Sequence, residues 1–190
     1  MPVIDYNVAW MIYNSFLALI AVGLGYLSFH IKETFLKLIC GLLWFIFLPN
    51  TIYIFTDLLH FIMQWHQVSA ASRPLLILEY AVFELVGICT FLLAFFPFEK
   101  VIGMSKFFKK RKIQSLIVLN FLVAFGMVLG RVERLNSWDL FFDLQGVIIS
   151  AKNVLVSFNL LGLTILFGLL CNFIYFLFRN KLLSIMKKFY

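Results

Sequence analysis

Five long apolar runs divide the chain, and short polar segments separate them. The first covers 7–29 and carries no charge. It lacks a basic leader and is too long for a signal core, so it reads as a retained anchor. The second covers 35–61 and is interrupted by Pro49. The third opens on Pro74, a favoured first-turn residue, and covers 74–98. The fourth and fifth cover 113–130 and 154–178. A hydrocarbon layer roughly 30 Å thick needs about 20 apolar residues of helix, and each run approaches or exceeds that. The pattern predicts an all-α integral membrane protein: one transmembrane domain over 1–190, with five spanning helices. Between the fourth and fifth runs, 137–150 mixes Phe141, Phe142 and Leu144 with Asp139, Asp143 and Gln145. That stretch predicts a short helix lying on the outer surface, or a shallow re-entrant segment.

Composition agrees with this layout. The chain has 190 residues, 63% hydrophobic and 13% charged, with a mean hydropathy of +1.00. A soluble domain is nearer half apolar and a quarter charged. The net charge of +7 would point to nucleic acid in a soluble protein, but here the basic residues sit at the ends of the runs. They set topology, and nucleic acid is excluded as a partner. With the N-terminus outside the cell membrane and the C-terminus in the cytoplasm, the inner side holds Lys32, Lys37, Lys100, Lys106, Lys109, Lys110, Arg111, Lys112, Arg179, Lys181, Lys187 and Lys188. The outer side holds only Arg73, Arg131, Arg134 and Lys152. Cys40, Cys89 and Cys171 each stand alone in an apolar run and form no metal or redox motif.

Polar residues at membrane depth are costly and therefore informative. On this topology they gather in the outer half, and the inner half is expected to hold no comparable set. Asn50, Tyr53, Asp57 and His60 follow one another at i, i+3, i+7 and i+10, so they line one helix face starting at the Pro49 break. Such a face can wall an aqueous cavity or hydrogen-bond a neighbouring helix. Glu79 and Glu84 lie about 140° apart on the third helix, too far round to act as a carboxylate pair. Arg131 and Arg134 end the fourth helix, followed by Asn136, Ser137, Trp138 and Asp139. The two arginines can clamp a phosphate or carboxylate, or neutralise Asp57 and Glu79. Gly126 and Gly130, four apart, permit close approach of another helix. Asp57, His60, His66 and Glu79 could supply oxygen and nitrogen ligands, but no paired-histidine spacing supports a metal. No nucleophile elbow, P-loop or dinucleotide fingerprint points to a cofactor.

Two stretches resemble a known family. Leu48-Pro-Asn-Thr-Ile-Tyr-Ile-Phe-Thr-Asp-Leu-Leu-His60 resembles the LPNxxYxxTDLxH signature of a bacterial membrane family, domain of unknown function 1361. Leu129-Gly-Arg-Val-Glu-Arg-Leu-Asn-Ser-Trp-Asp139 resembles its second signature, LGRxxRxNSWD. The resemblance implies a multi-pass membrane protein whose family residues include Asn50, Tyr53, Asp57, His60, Arg131, Arg134, Asn136, Trp138 and Asp139. Glu79 and Glu84 stand outside both signatures. The family brings no activity with it.

Three functions are compatible with this reading. The first is a small transporter or solute-binding membrane protein with an outward-facing polar pocket, its five spans supplemented by dimerisation. An aqueous cavity reaching Asn50 or Glu84 would mark it. The second is an enzyme or binder acting on a lipid headgroup or lipid-linked phosphate at the outer interface. A shallow site open sideways to lipid would mark that. The third is a structural or accessory subunit, marked by a closed and fully paired cluster. Sequence order favours the first by a narrow margin and does not decide whether the protein is an enzyme. The partners expected are the bilayer, a second copy of the chain, and an anionic lipid or small solute at the outer face.

Overall fold

The computed structural model describes residues 2–104 and 106–186, with side chains described from Tyr6 onward except at 106, 107 and 186. Lys187 and Lys188, and the Lys106 side chain, used above in the charge count, lie outside the described residues. Among the described residues there is no strand. Five helical stretches are long and apolar enough to cross a membrane.

Helix α1 (Pro2–His30) is followed after a short turn by α2 (Thr34–Phe47). Glu33 caps α2, its carboxylate accepting from the amides of Phe35 and Leu36, two of the donors every helix start leaves unpaired. The second run continues as α3 (Asn50–Thr56) and α4 (Leu58–Gln64). A single 3₁₀ turn, Ala70–Ser72, leads into α5 (Arg73–Met104). This helix does not stop near residue 98 but continues through Pro97 for another two turns. A short α6 (Lys106–Lys109) connects to α7 (Lys112–Arg131). Two further pieces, α8 (Asp139–Phe142) and α9 (Leu144–Val156), precede α10 (Phe158–Met186). The fifth run therefore breaks at Ser157, in extended backbone, rather than starting at 154.

Helix α1 packs on α2 and α5, and α10 packs mainly on α7. The short α3 lies between α1, α5 and α7 and joins the two halves. Close packing is made by small residues, which bring backbones together where water supplies no driving force between helices. A Cβ on Gly87 would stand 2.8 Å from Ile54, and one on Gly168 would stand 2.1 Å from Phe121. Asn120 donates to Asn172 (3.0 Å), tying α7 to α10 at mid-length. The main core combines Trp44, Leu48, Ile52, Phe91, Phe95, Met127 and Tyr175, and a smaller one Met11, Ile54, Leu76, Tyr80 and Phe83. The outward faces of α1, α5 and α10 are lined by exposed Ile, Leu and Phe side chains, such as Phe16, Leu85, Leu166 and Phe173. In water such a surface would be untenable; against lipid it is the expected one.

Candidate functional site

The site is built around two interruptions in the second spanning segment. Pro49 has no N–H and crowds the preceding turn, so the helix must open there. Opening leaves carbonyls without their usual partners. Asn50 turns back to donate to the Phe47 carbonyl (2.9 Å), and Ser137 donates to that of Ile46 (3.3 Å). The same Asn50 amide reaches the Ser137 hydroxyl (3.0 Å), while Thr51 donates its hydroxyl to Leu48 (2.8 Å). Buried Asn50 is thus occupied in repairing the break. Ser137 reaches it because the chain after α7 folds back into the bundle. Arg134 makes that reversal at φ 59°, a left-handed conformation usually left to Gly or Asn. Leu135 N–H then returns to the Leu129 carbonyl (3.3 Å). Leu140 and Val147, from α8 and α9, also reach the walls of the cleft beside Pro49. The 137–150 stretch is therefore anchored in the bundle at the level of the helix break.

The α7 face opposite this break is cut away to receive it. A Cβ on Gly126 would stand 2.5 Å from Pro49, and one on Gly130 would stand 1.4 Å from the Tyr53 hydroxyl. Only glycine leaves room for that hydroxyl, which donates to the Gly126 carbonyl (3.3 Å). One turn further on, at Asp57, the segment breaks again. Its carboxylate is 2% exposed and meets Arg131 Nη1 at 3.0 Å, His60 Nδ1 at 3.5 Å and the Asn14 amide at 3.3 Å. Arg131 Nη2 also reaches the Thr56 carbonyl and His60 Nδ1, both at 3.4 Å. The two chain segments that resemble the family signatures therefore fit into each other, Tyr53 against Gly130, Asp57 against Arg131 and Asn50 against Ser137, with Pro49 against Gly126 just ahead of the second.

Burial within this group is uneven. Asp57 is enclosed, but Arg131 is 36% and His60 45% exposed. Arg131 lines, with Phe55, Leu59, Ile62, Leu163 and Phe167, a largely apolar groove of about 390 Å³ between α3/α4 and α7/α10. The cleft at Pro49 and Asn136 is much smaller, about 80 Å³, and mainly apolar.

The remaining predicted residues fall elsewhere. Glu79 accepts from Asn7 (3.2 Å) in a knot with Gln64 and Tyr80, whose own contacts link α1, α4 and α5. Glu84 is half-buried, with one carboxylate oxygen lacking a hydrogen-bond partner among the described residues. Asp139 caps the reversal by accepting from Asn136 N–H (2.7 Å). Arg134 and Trp138 are exposed and outside the cluster. Among the described residues no three His, Cys, Asp or Glu side chains gather as a metal would require.

Asn14, on the Asp57 carboxylate, and Asn7, in the Glu79 knot, are contacts that the sequence reading does not single out. The first run looked like a plain anchor because it holds no charge. Its signal was nevertheless present: asparagines at i and i+7 share a helix face, and that face meets the polar stripe of α3 and α4.

The expectation that the opposite half would hold no polar set is overturned. Glu99, 2% exposed, accepts from Tyr175 and Arg179 and pairs with Lys112 at 2.8 Å. Ending the third helix at 98 would leave Glu99 in a solvated loop. Because α5 runs on through Pro97, Glu99 instead stays inside, between α7 and α10. The four groups leave one surplus positive charge in the cluster.

Neither a curated protein nor a solved structure matches the chain significantly. Both interlocking segments lie inside residues 13–174, over which the chain matches the model of a family described as a protein of unknown function, DUF1361, and it belongs to that family.

Proposed function

We propose that this protein binds the anionic headgroup of a lipid, or of a lipid-linked phosphate, at the outer face of the cell membrane, with its N-terminus outside. The observation that carries the reading is the position of Arg131. It is held by Asp57 yet more than a third exposed, and it lines an otherwise largely apolar groove between α3/α4 and α7/α10. A guanidinium offers five donors in a planar fork suited to phosphate oxygens. Asp57 takes Nη1, and the Thr56 carbonyl and His60 take Nη2, which orients the guanidinium and leaves Nε–H and the second Nη1–H for a ligand. His60 stands beside it as a second polar contact, and the groove below accepts an acyl or prenyl chain. A solute pocket has less support: the cleft at Pro49 is small and mainly apolar, and Asn50 itself is engaged.

The test is native mass spectrometry of the purified protein with phosphatidylglycerol, phosphatidylcholine of the same chains, and inorganic phosphate. The paired change Asp57→Asn with Arg131→Gln removes the guanidinium without leaving a buried charge alone. The wild type should retain one more phosphatidylglycerol than this variant, and show no such excess with phosphatidylcholine. Equal retention by both proteins would refute the reading. Retention of phosphate alone by the wild type would make the ligand a free anion.

A further inference from the structure

A second cleft lies at the other end of the bundle, between α1, α2 and α5. It measures about 190 Å³ and is lined by Gly25, Ser28, Lys37, Gly41, Trp44, Pro97, Phe98 and Val101. Three features of the chain create it. Gly41 has no side chain, and a Cβ built there would meet nothing within 4 Å. Trp44 is drawn inward, its indole donating to the Ala94 carbonyl (2.9 Å) and stacking on Phe98 (5.4 Å). That carbonyl follows the one at Leu93, which Pro97 leaves without its helical donor. On the α1 side, Ser28 turns its hydroxyl back onto the Gly25 carbonyl (2.9 Å), so the walls are mainly apolar.

Lys37 provides the single charge in the lining. Among the described residues it forms no ion pair. The acid one turn earlier, Glu33, uses its carboxylate to cap α2. Lys100, held over the Phe29 ring at 4.7 Å, adds a cation at the same end of α5. A slot with apolar walls and a cationic rim complements an acyl chain attached to an anionic headgroup. A basic residue is drawn to an anionic lipid surface independently of any further fit.

We propose that this cleft is a binding site for an anionic phospholipid, with Lys37 at the phosphate and part of one acyl chain lying against Trp44 and Gly41. The site is separate from the Arg131 groove and does not rest on it. It is one that packing leaves open: Gly25, Gly87, Gly126, Gly130 and Gly168 each receive a side chain of another residue, whereas at Gly41, as at Gly23 and Gly162, the space beside the backbone stays open.

The test uses the full-length protein in nanodiscs, with Trp10, Trp65 and Trp138 changed to Phe so that Trp44 is the sole tryptophan. Phosphatidylglycerol or phosphatidylcholine carrying brominated acyl chains is titrated in, and quenching of Trp44 is read. Phosphatidylglycerol should quench at severalfold lower mole fraction than phosphatidylcholine, and Lys37→Gln should erase that preference. Gly41→Leu fills the slot and should abolish the saturable quenching. It should not harm the fold, since it replaces a helix-weakening glycine where no atom obstructs; an unchanged or higher melting temperature verifies this. If the tryptophan background is unstable, retention of phosphatidylglycerol by wild-type and Gly41→Leu proteins replaces the optical readout. Equal quenching by the two lipids, or undiminished binding to a folded Gly41→Leu protein, would overturn the proposal. Either result leaves the Arg131 groove unaffected, because that site is read through its own paired variant.

Discussion

The Asp57–Arg131 pair makes a quantitative prediction because its two partners are so differently exposed. At 3.0 Å and an effective dielectric of about 20, their attraction is about 5–6 kcal/mol. Exposure of the guanidinium screens part of this, leaving a coupling of about 2–4 kcal/mol. Arg131→Gln strands a carboxylate that is 2% exposed, supported only by His60 and Asn14. Removing one partner of such a pair costs about 3–5 kcal/mol. Asp57→Asn leaves a guanidinium that can turn outward to water or headgroups, and the new amide oxygen can still accept from it. That change should cost only about 1–2 kcal/mol. The double variant should recover that coupling and stand about 2–3 kcal/mol below wild type, less than Arg131→Gln alone. The assay is thermal unfolding in detergent under one lipid condition for all four proteins. At about 2–4 °C per kcal/mol for a chain of this size, Arg131→Gln should melt roughly 6–20 °C below wild type and Asp57→Asn only a few degrees below. A larger loss for Asp57→Asn than for Arg131→Gln, or losses that simply add in the double variant, would refute the burial argument.

Two further outcomes follow from packing at the two ends of α7. Glu99→Gln leaves Lys112 and Arg179 facing each other around a neutral amide and should cost about 3–5 kcal/mol, while Lys112→Met, on a side chain 28% exposed, should cost clearly less; unfolding of the two variants side by side tests the order. Gly130→Ala drives a methyl into the Tyr53 hydroxyl, 1.4 Å away, and should cost about 1–3 kcal/mol or more, most of it recovered on adding Tyr53→Leu, so no recovery in that double variant would show that the two segments do not meet as described.

The division between sequence and tertiary structure can be followed residue by residue. Run length and apolar content alone determine five spanning helices, because a helix in lipid must satisfy its own backbone over about 20 residues whatever its neighbours are. The break at Pro49 is equally local, since a missing N–H interrupts any helix. The 3.6-residue period puts Asn50, Tyr53, Asp57 and His60 on one face without reference to the rest of the chain. What that face meets is a different kind of fact. That Asp57 pairs with Arg131, that Asn50 is engaged by Ser137, and that Gly126 and Gly130 receive Pro49 and Tyr53 depend on which helices become neighbours. In lipid that choice is made by close packing and interhelical hydrogen bonds rather than by a hydrophobic pattern. Asn7 and Asn14 became site residues only when α1 docked against the polar stripe. Glu99 changed from a loop residue to a buried anion once α5 continued past Pro97 and found Arg179, Lys112 and Tyr175 in place. Local chemistry determined the elements and the polar faces they carry; tertiary packing decided which charges meet, because burial and partnership belong to pairs of helices and a single helix period encodes neither.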